Sequence, residues 1–263
     1  MENCVKQLIV IEPGRIKKQY FKDIWQYREL FFFLSWRDIL VRYKQTIIGI
    51  AWSVIRPLLT MIIFTIVFSK LARLPSQGVP YPILIYCAML PWQFFANSFT
   101  QAGNSLILNA PMLRKVYFPR IIIPASSVIV CLIDFCISFI ILICLMLWYQ
   151  FVPTWKIVFI PAFFLISVIL TLGAGCYIAA LNVKYRDFRY IVSFLVQLSL
   201  YISPVGFSSN IVPEKWRLIY YINPMVGVID GFRFAILGGA NKLYLSGIII
   251  SLAVVIVIFI LVI

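Results

Sequence analysis

Residues 37–68 read RDILVRYKQTIIGIAWSVIRPLLTMIIFTIVF. A basic patch (Arg37, Arg42, Lys44) runs directly into an apolar segment long enough to cross a bilayer. Basic residues beside a span mark the side that stays in the cytoplasm. One stretch therefore indicates both a membrane-embedded fold and its orientation.

The whole chain points the same way. It is 63% hydrophobic and 12% charged, with a mean hydropathy of +0.99. A soluble domain of this length could not cover that much apolar surface, so lipid is the solvent for most of it. The start mixes charge with short apolar runs and lacks a signal-peptide core, so the first span is expected to direct insertion. The net charge of +14 would suggest nucleic acid in a soluble protein. Here the cations flank apolar spans, which fits lipid headgroups and topology instead.

Six spans are expected, at about 47–71, 83–103, 121–149, 157–181, 191–205 and 246–263. About 20 helical residues cross the ~30 Å hydrocarbon core. The second span is expected to break near Pro91. Residues 1–46 form a cytoplasmic segment containing an amphipathic interfacial helix over about 20–34, with Phe21, Ile24, Trp25 and Phe32 near one face. A helix packed on other protein is the alternative, and the two are not exclusive. Residues 206–244 are apolar but full of breakers, including Pro213, Pro224, Gly227 and Gly231. A re-entrant pair of short helices fits, with a surface loop as the alternative. The fold class is thus all-α integral membrane: residues 47–263 form the transmembrane domain, with the re-entrant pair between spans five and six. Fifteen of the 23 Lys and Arg fall before span one and in the loops after spans two and four. That bias puts both termini in the cytoplasm. Arg233 counts among the seven on the opposite side.

Little here suits catalysis. The chain has no histidine and nine acidic residues, mostly outside spans, which argues against acid–base chemistry and metal sites. Its six cysteines lie mostly in apolar segments and form no CxxC pair, so they read as small apolar residues. No GxxxxGK[ST] phosphate loop occurs, so energy for uphill transport would come from a partner or an ion gradient.

Two charges fall inside spans. Arg56, followed by Pro57, either faces a wet pathway and meets an anionic lipid carrier, or snorkels to the headgroups. Asp134 either hydrogen-bonds a neighbouring helix or faces the pathway. Rings inside spans, among them Trp52, Phe64, Trp92, Phe95 and Tyr201, with Phe207 just beyond span five, either pack and meet lipid or line a pathway. Sugars stack on rings through their C–H faces, and such stacking is tolerant enough for a sliding polymer.

The opening stretch resembles the RD…RYK…G…W…P start of ABC-2 type permeases for polysaccharide export. The likeness continues through Phe118-Pro119-Arg120…Pro124, Tyr185-Arg186-Asp187, Ser203-Pro204-Val205, Val212-Pro213, Asn223-Pro224, Phe232-Arg233 and Gly238-Gly239, in order over about residues 37–239. The group it resembles exports O-antigen, capsule and teichoic acid.

The resemblance implies a homodimer joined by two copies of a separate ABC ATPase subunit. ATP and Mg would be bound by that partner, and no cofactor or metal by this chain. It implies export of a lipid-linked polysaccharide, O-antigen in class, across the bacterial inner membrane, with spans one and five lining the channel. Arg37 and Asp38 would lie where the interfacial helix couples to the ATPase. Arg114, Lys115 and Tyr117 would fall in the first coupling loop, and Arg186 and Asp187 in the second. Pro204, Pro213, Asn223 and Pro224 would bracket the periplasmic gate. A charged cytoplasmic tail after the last span is also implied, and the sequence reaching Ile263 does not contain one. The competing readings are an ABC-2 permease for a smaller lipid or drug, and a membrane-embedded polysaccharide assembly enzyme.

Overall fold

The computed structural model describes residues 25–44, 49–73, 78–185, 187–238 and 244–262, and every regular element among them is helical. Ten α-helices follow in chain order: α1 Arg28–Lys44, α2 Gly49–Thr65, α3 Tyr81–Leu108, α4 Ala110–Leu113, α5 Ile122–Trp148, α6 Ile160–Lys184, α7 Phe188–Ile202, α8 Glu214–Tyr220, α9 Pro224–Leu237 and α10 Leu245–Val262. A π-helical turn, Ile66–Leu71, extends α2, and a 3-10 turn, Trp155–Phe159, leads into α6. Three stretches are long and apolar enough to cross a membrane: Ala51–Leu71, Ile122–Trp148 and Trp155–Lys184. Phe188–Ile202 and Leu245–Leu261 are apolar but shorter.

Helix α3 has more buried residues than any other described helix. Proline at its first turn costs no hydrogen bond, and Pro80 and Pro82 start it there. Ile83 to Trp92 is then buried without interruption. The helix runs continuously through Pro91, so the break expected there does not occur. Packing on α5, α6 and α9 holds the backbone helical across the lost hydrogen bond. Gln93, Asn97, Ser98 and Asn104 lower the hydropathy of α3 because protein surrounds it on most sides.

Small residues bring α3 and α6 together. Ala102, Gly103, Gly175 and Ala179 are buried at the crossing. With lipid outside, close backbone approach and packing drive helix association. A Cβ on Gly175 would lie 2.8 Å from the Ala102 Cβ, closer than real carbon pairs come. Gly175→Val is therefore expected to destabilise the fold by about 1–3 kcal/mol through overpacking. Thermal unfolding in detergent checks this, and an unchanged midpoint would refute it.

Around α3 the core gathers α5, α6, α9 and α10. Two helices stay at the margin. In α2 the buried residues are Pro57 and Met61, one turn apart. In α7 the single buried residue is Val192. Helix α1 packs on α5, burying Leu34 against Leu106, Phe118, Ile122 and Ile123. Its Phe32, Phe33 and Trp36 are exposed, as is Trp25 ahead of it. The helix thus carries both a protein-facing and an apolar exposed face. Phe21 and Ile24 of the predicted interfacial face lie outside the described residues.

Candidate functional site

The first turns of α2 border a cleft of about 510 Å³. Trp52, Arg56 and Thr60 repeat every four residues along its α2 wall, as helical periodicity requires. The α3 wall supplies Leu90, Gln93, Phe94 and Asn97. Cys131, Asp134, Phe135 and Ser138 come from α5, and Arg42 reaches in from α1. Two arginines, a carboxylate and two amides give this mainly apolar cleft its polar groups.

Its electrostatics are partly internal. Asp134 pairs with Arg42 (Oδ2 to Nη2, 2.5 Å) and accepts from the Tyr43 hydroxyl at 2.6 Å and the Ser53 hydroxyl at 3.0 Å. Arg42 also donates to Gln101 Oε1 at 3.3 Å. Burial, followed by the bond to Asp134, pushes the Tyr43 phenol well above its usual range, so Tyr43 remains a donor. Asp134 and Arg42 offset each other's charge. Arg56 is exposed, and no side-chain partner for its guanidinium occurs among the described residues.

The predicted pathway residues separate. Trp52 and Arg56 share the cleft. Phe64, near the end of α2, meets Phe68 of the extension at a tilt, with centroids 5.6 Å apart. Trp92 is buried in the core against Phe95, and neither ring lines the cleft. Tyr201 is exposed on α7, and Phe207 lies in the loop beyond it.

Three of the predicted gate residues, Pro204, Asn223 and Pro224, lie together. Asn223 caps α9 by accepting from Met225 N at 3.1 Å, and it donates to Ser203 Oγ at 3.1 Å, beside buried Pro204. Pro224 occupies the first turn of α9, where proline is favoured. Pro213 is exposed ahead of α8. Two side chains that the sequence reading passed over hold this region. Arg233 is 1% exposed and donates to the carbonyls of Phe207 (2.7 Å) and Val205 (3.1 Å). Asp230, one turn earlier, accepts from the Tyr221 hydroxyl at 2.6 Å. Arg233, counted from the sequence with the cations of the opposite side, is an interior anchor in the structure. Two opposite charges three apart within the apolar run 225–237 were the available signal.

On the remaining side, Arg37 pairs with Asp38 at 2.7 Å and donates to Asn109 Oδ1 at 3.1 Å. It thereby ties α1 to the turn after α3. Arg114, Lys115 and Tyr117 are exposed in the following loop. Asp187 is exposed before α7, and Arg186 lies outside the described residues.

The sequence profile of the ABC-2 type transporter family matches residues 29–237. The chain is 31% identical to an O-antigen export system permease protein, RfbA, of Klebsiella pneumoniae over 222 residues, covering 82% of this chain and 85% of that protein. An RfbA of Myxococcus xanthus is also 31% identical, over 81% of this chain and 82% of its own length. The polysialic acid transport protein KpsM of Escherichia coli is 19% identical over 77% of this chain and 79% of its own.

Proposed function

The chain belongs to the ABC-2 type transporter family, and we propose that it is the permease subunit of an ATP-driven exporter of lipid-linked polysaccharide, O-antigen in class. The similarity to O-antigen export permeases over most of both chains carries this reading. It is a multi-pass membrane protein, and its transport role is that of a membrane subunit rather than an enzyme. The relatives' printed roles favour polysaccharide over a smaller lipid or drug, and transport over polymer assembly.

The finer features belong to the same proposal. Six spans are formed by α2 with its π-helical extension, α3, α5, α6 with its 3-10 turn, α7 and α10. At 15 residues α7 reaches only about 22 Å, and buried Ser203 to Gly206 continue it inward. Helices α8 and α9 are the re-entrant pair. Irregular backbone at membrane depth needs its polar groups satisfied, and the carbonyls of Val205, Gly206 and Phe207 accept from Arg233 and Tyr81. Both termini face the cytoplasm of a bacterial inner membrane. Exposed apolar faces on α2 and α7 suit a second copy of the chain across a central channel. Two copies of an ABC ATPase, carrying ATP and Mg, dock near Arg37, Asp38, Arg114, Lys115, Tyr117, Arg186 and Asp187. Trp52, Arg56 and Phe64 face the entering lipid-linked polymer, and Pro204, Pro213, Asn223 and Pro224 frame its exit.

A strain lacking this chain is expected to lose surface polymer and accumulate the lipid-linked form inside. Polysaccharide analysis of whole cells and of extracted lipids checks this. Surface polymer at the wild-type level would overturn the reading.

A further inference from the structure

We propose that Asp134 is a positioning residue: the receiving half of a polar clasp by which the last turn of α1 holds the start of α2. The clasp then determines how movement of α1, driven from the ATPase, reaches the pathway helix; this second step rests on the exporter reading above.

Asp134 lies twelve residues into α5, roughly 18 Å along it. A carboxylate at such depth persists only with partners. Its partners come from two other helices. Arg42 and Tyr43 end α1, and Ser53 lies just inside α2. Tyr43 and Ser53 share one carboxylate oxygen, and Arg42 takes the other. A single bond would satisfy a residue that merely caps a neighbour. Two hydroxyl donors and one ion pair converge to fix the relative position of three helices at one point, and charge-assisted bonds are the strong ones in a low dielectric.

The arrangement also explains why Asp134 lines the cleft without serving as its recognition group. Both oxygens are engaged from the α1 and α2 side, and a carboxylate repels an anionic carrier. Tyr43 provides the discriminating position, because it binds Asp134 but does not line the cleft. About one and a half turns before Arg42, in the middle of α1, Arg37 ties the helix to Asn109 in the turn before the basic 114–120 loop. One helix thus spans from that loop to the carboxylate that grips α2.

The test uses the full permease with its ATPase in membrane vesicles, comparing Asp134→Asn, Tyr43→Phe and the double variant. Each single variant is expected to lower polymer exported per ATP hydrolysed by about fivefold or more. Amide hydrogen exchange across residues 28–44 should rise in both. The double variant should be no worse than Asp134→Asn alone. Tyr43→Phe with unchanged export per ATP and unchanged exchange would overturn the clasp. So would variants whose export falls only in proportion to inserted complex, because the role would then be structural. If the wild-type complex exports no polymer, the exporter reading fails, while exchange in residues 28–44 still decides the clasp.

Discussion

Arg233→Met is expected to abolish most folded permease. The guanidinium is almost wholly enclosed and serves two loop carbonyls at 2.7 and 3.1 Å. Truncation leaves both carbonyls unpaired where no helix can satisfy them, at about 1–3 kcal/mol each. It also strips half-buried Asp230, one turn away, of a nearby cation. The total, on the order of 3–5 kcal/mol, is a large share of the 5–15 kcal/mol that typically holds a domain. Arg233→Lys should fall between, because one ammonium cannot reproduce a fork aimed at two acceptors. Adding Asp230→Asn to Arg233→Met should recover part of the loss by removing the stranded carboxylate. Thermal unfolding in detergent, with the yield of monodisperse protein, reads all three. A wild-type midpoint for Arg233→Met would refute the anchor.

The same residue indicates what the sequence could reveal. Apolar runs and basic flanks made the membrane class legible, because both depend on composition near each position. The Asn223-Pro224 start of α9 was legible for a similar reason, since caps are local chemistry. The anchoring role of Arg233 was not legible because its acceptors lie 26 and 28 residues away, in a loop whose burial is decided by tertiary packing. Asp134 was visible as an anomaly, but its partner Tyr43 is 91 residues distant and no local pattern joins them. Aromatics were the least informative. Trp52 and Trp92 look alike as rings within apolar spans, yet one borders the cleft and the other fills the core. Which side of a span faces protein is set by the neighbours, and α3 acquires neighbours on most sides while α2 acquires few.

Arg56→Glu is expected to cut export at least about tenfold while leaving the amount of inserted permease unchanged. Fold and function separate here because the guanidinium is exposed and has no side-chain partner among the described residues, so replacing it removes no packing contact. The cleft it lines already holds Asp134, whose charge is offset by Arg42. A second carboxylate turns the local balance negative. Two unit charges 4 Å apart interact by about 4 kcal/mol at an effective dielectric of 20, and 1.4 kcal/mol suffices for a factor of ten. Even a carrier phosphate held well beyond contact distance would therefore register the reversal. Arg56→Lys keeps the charge and should retain most activity, whereas Arg56→Gln should fall between. The ordering Lys, Gln, Glu is itself the measurement, read as surface polymer normalised to permease in the membrane. If all three export equally, Arg56 only snorkels toward headgroups and the cleft does not receive an anionic carrier. A loss that is the same for Lys and Glu would point to shape rather than charge, and would remove the electrostatic argument.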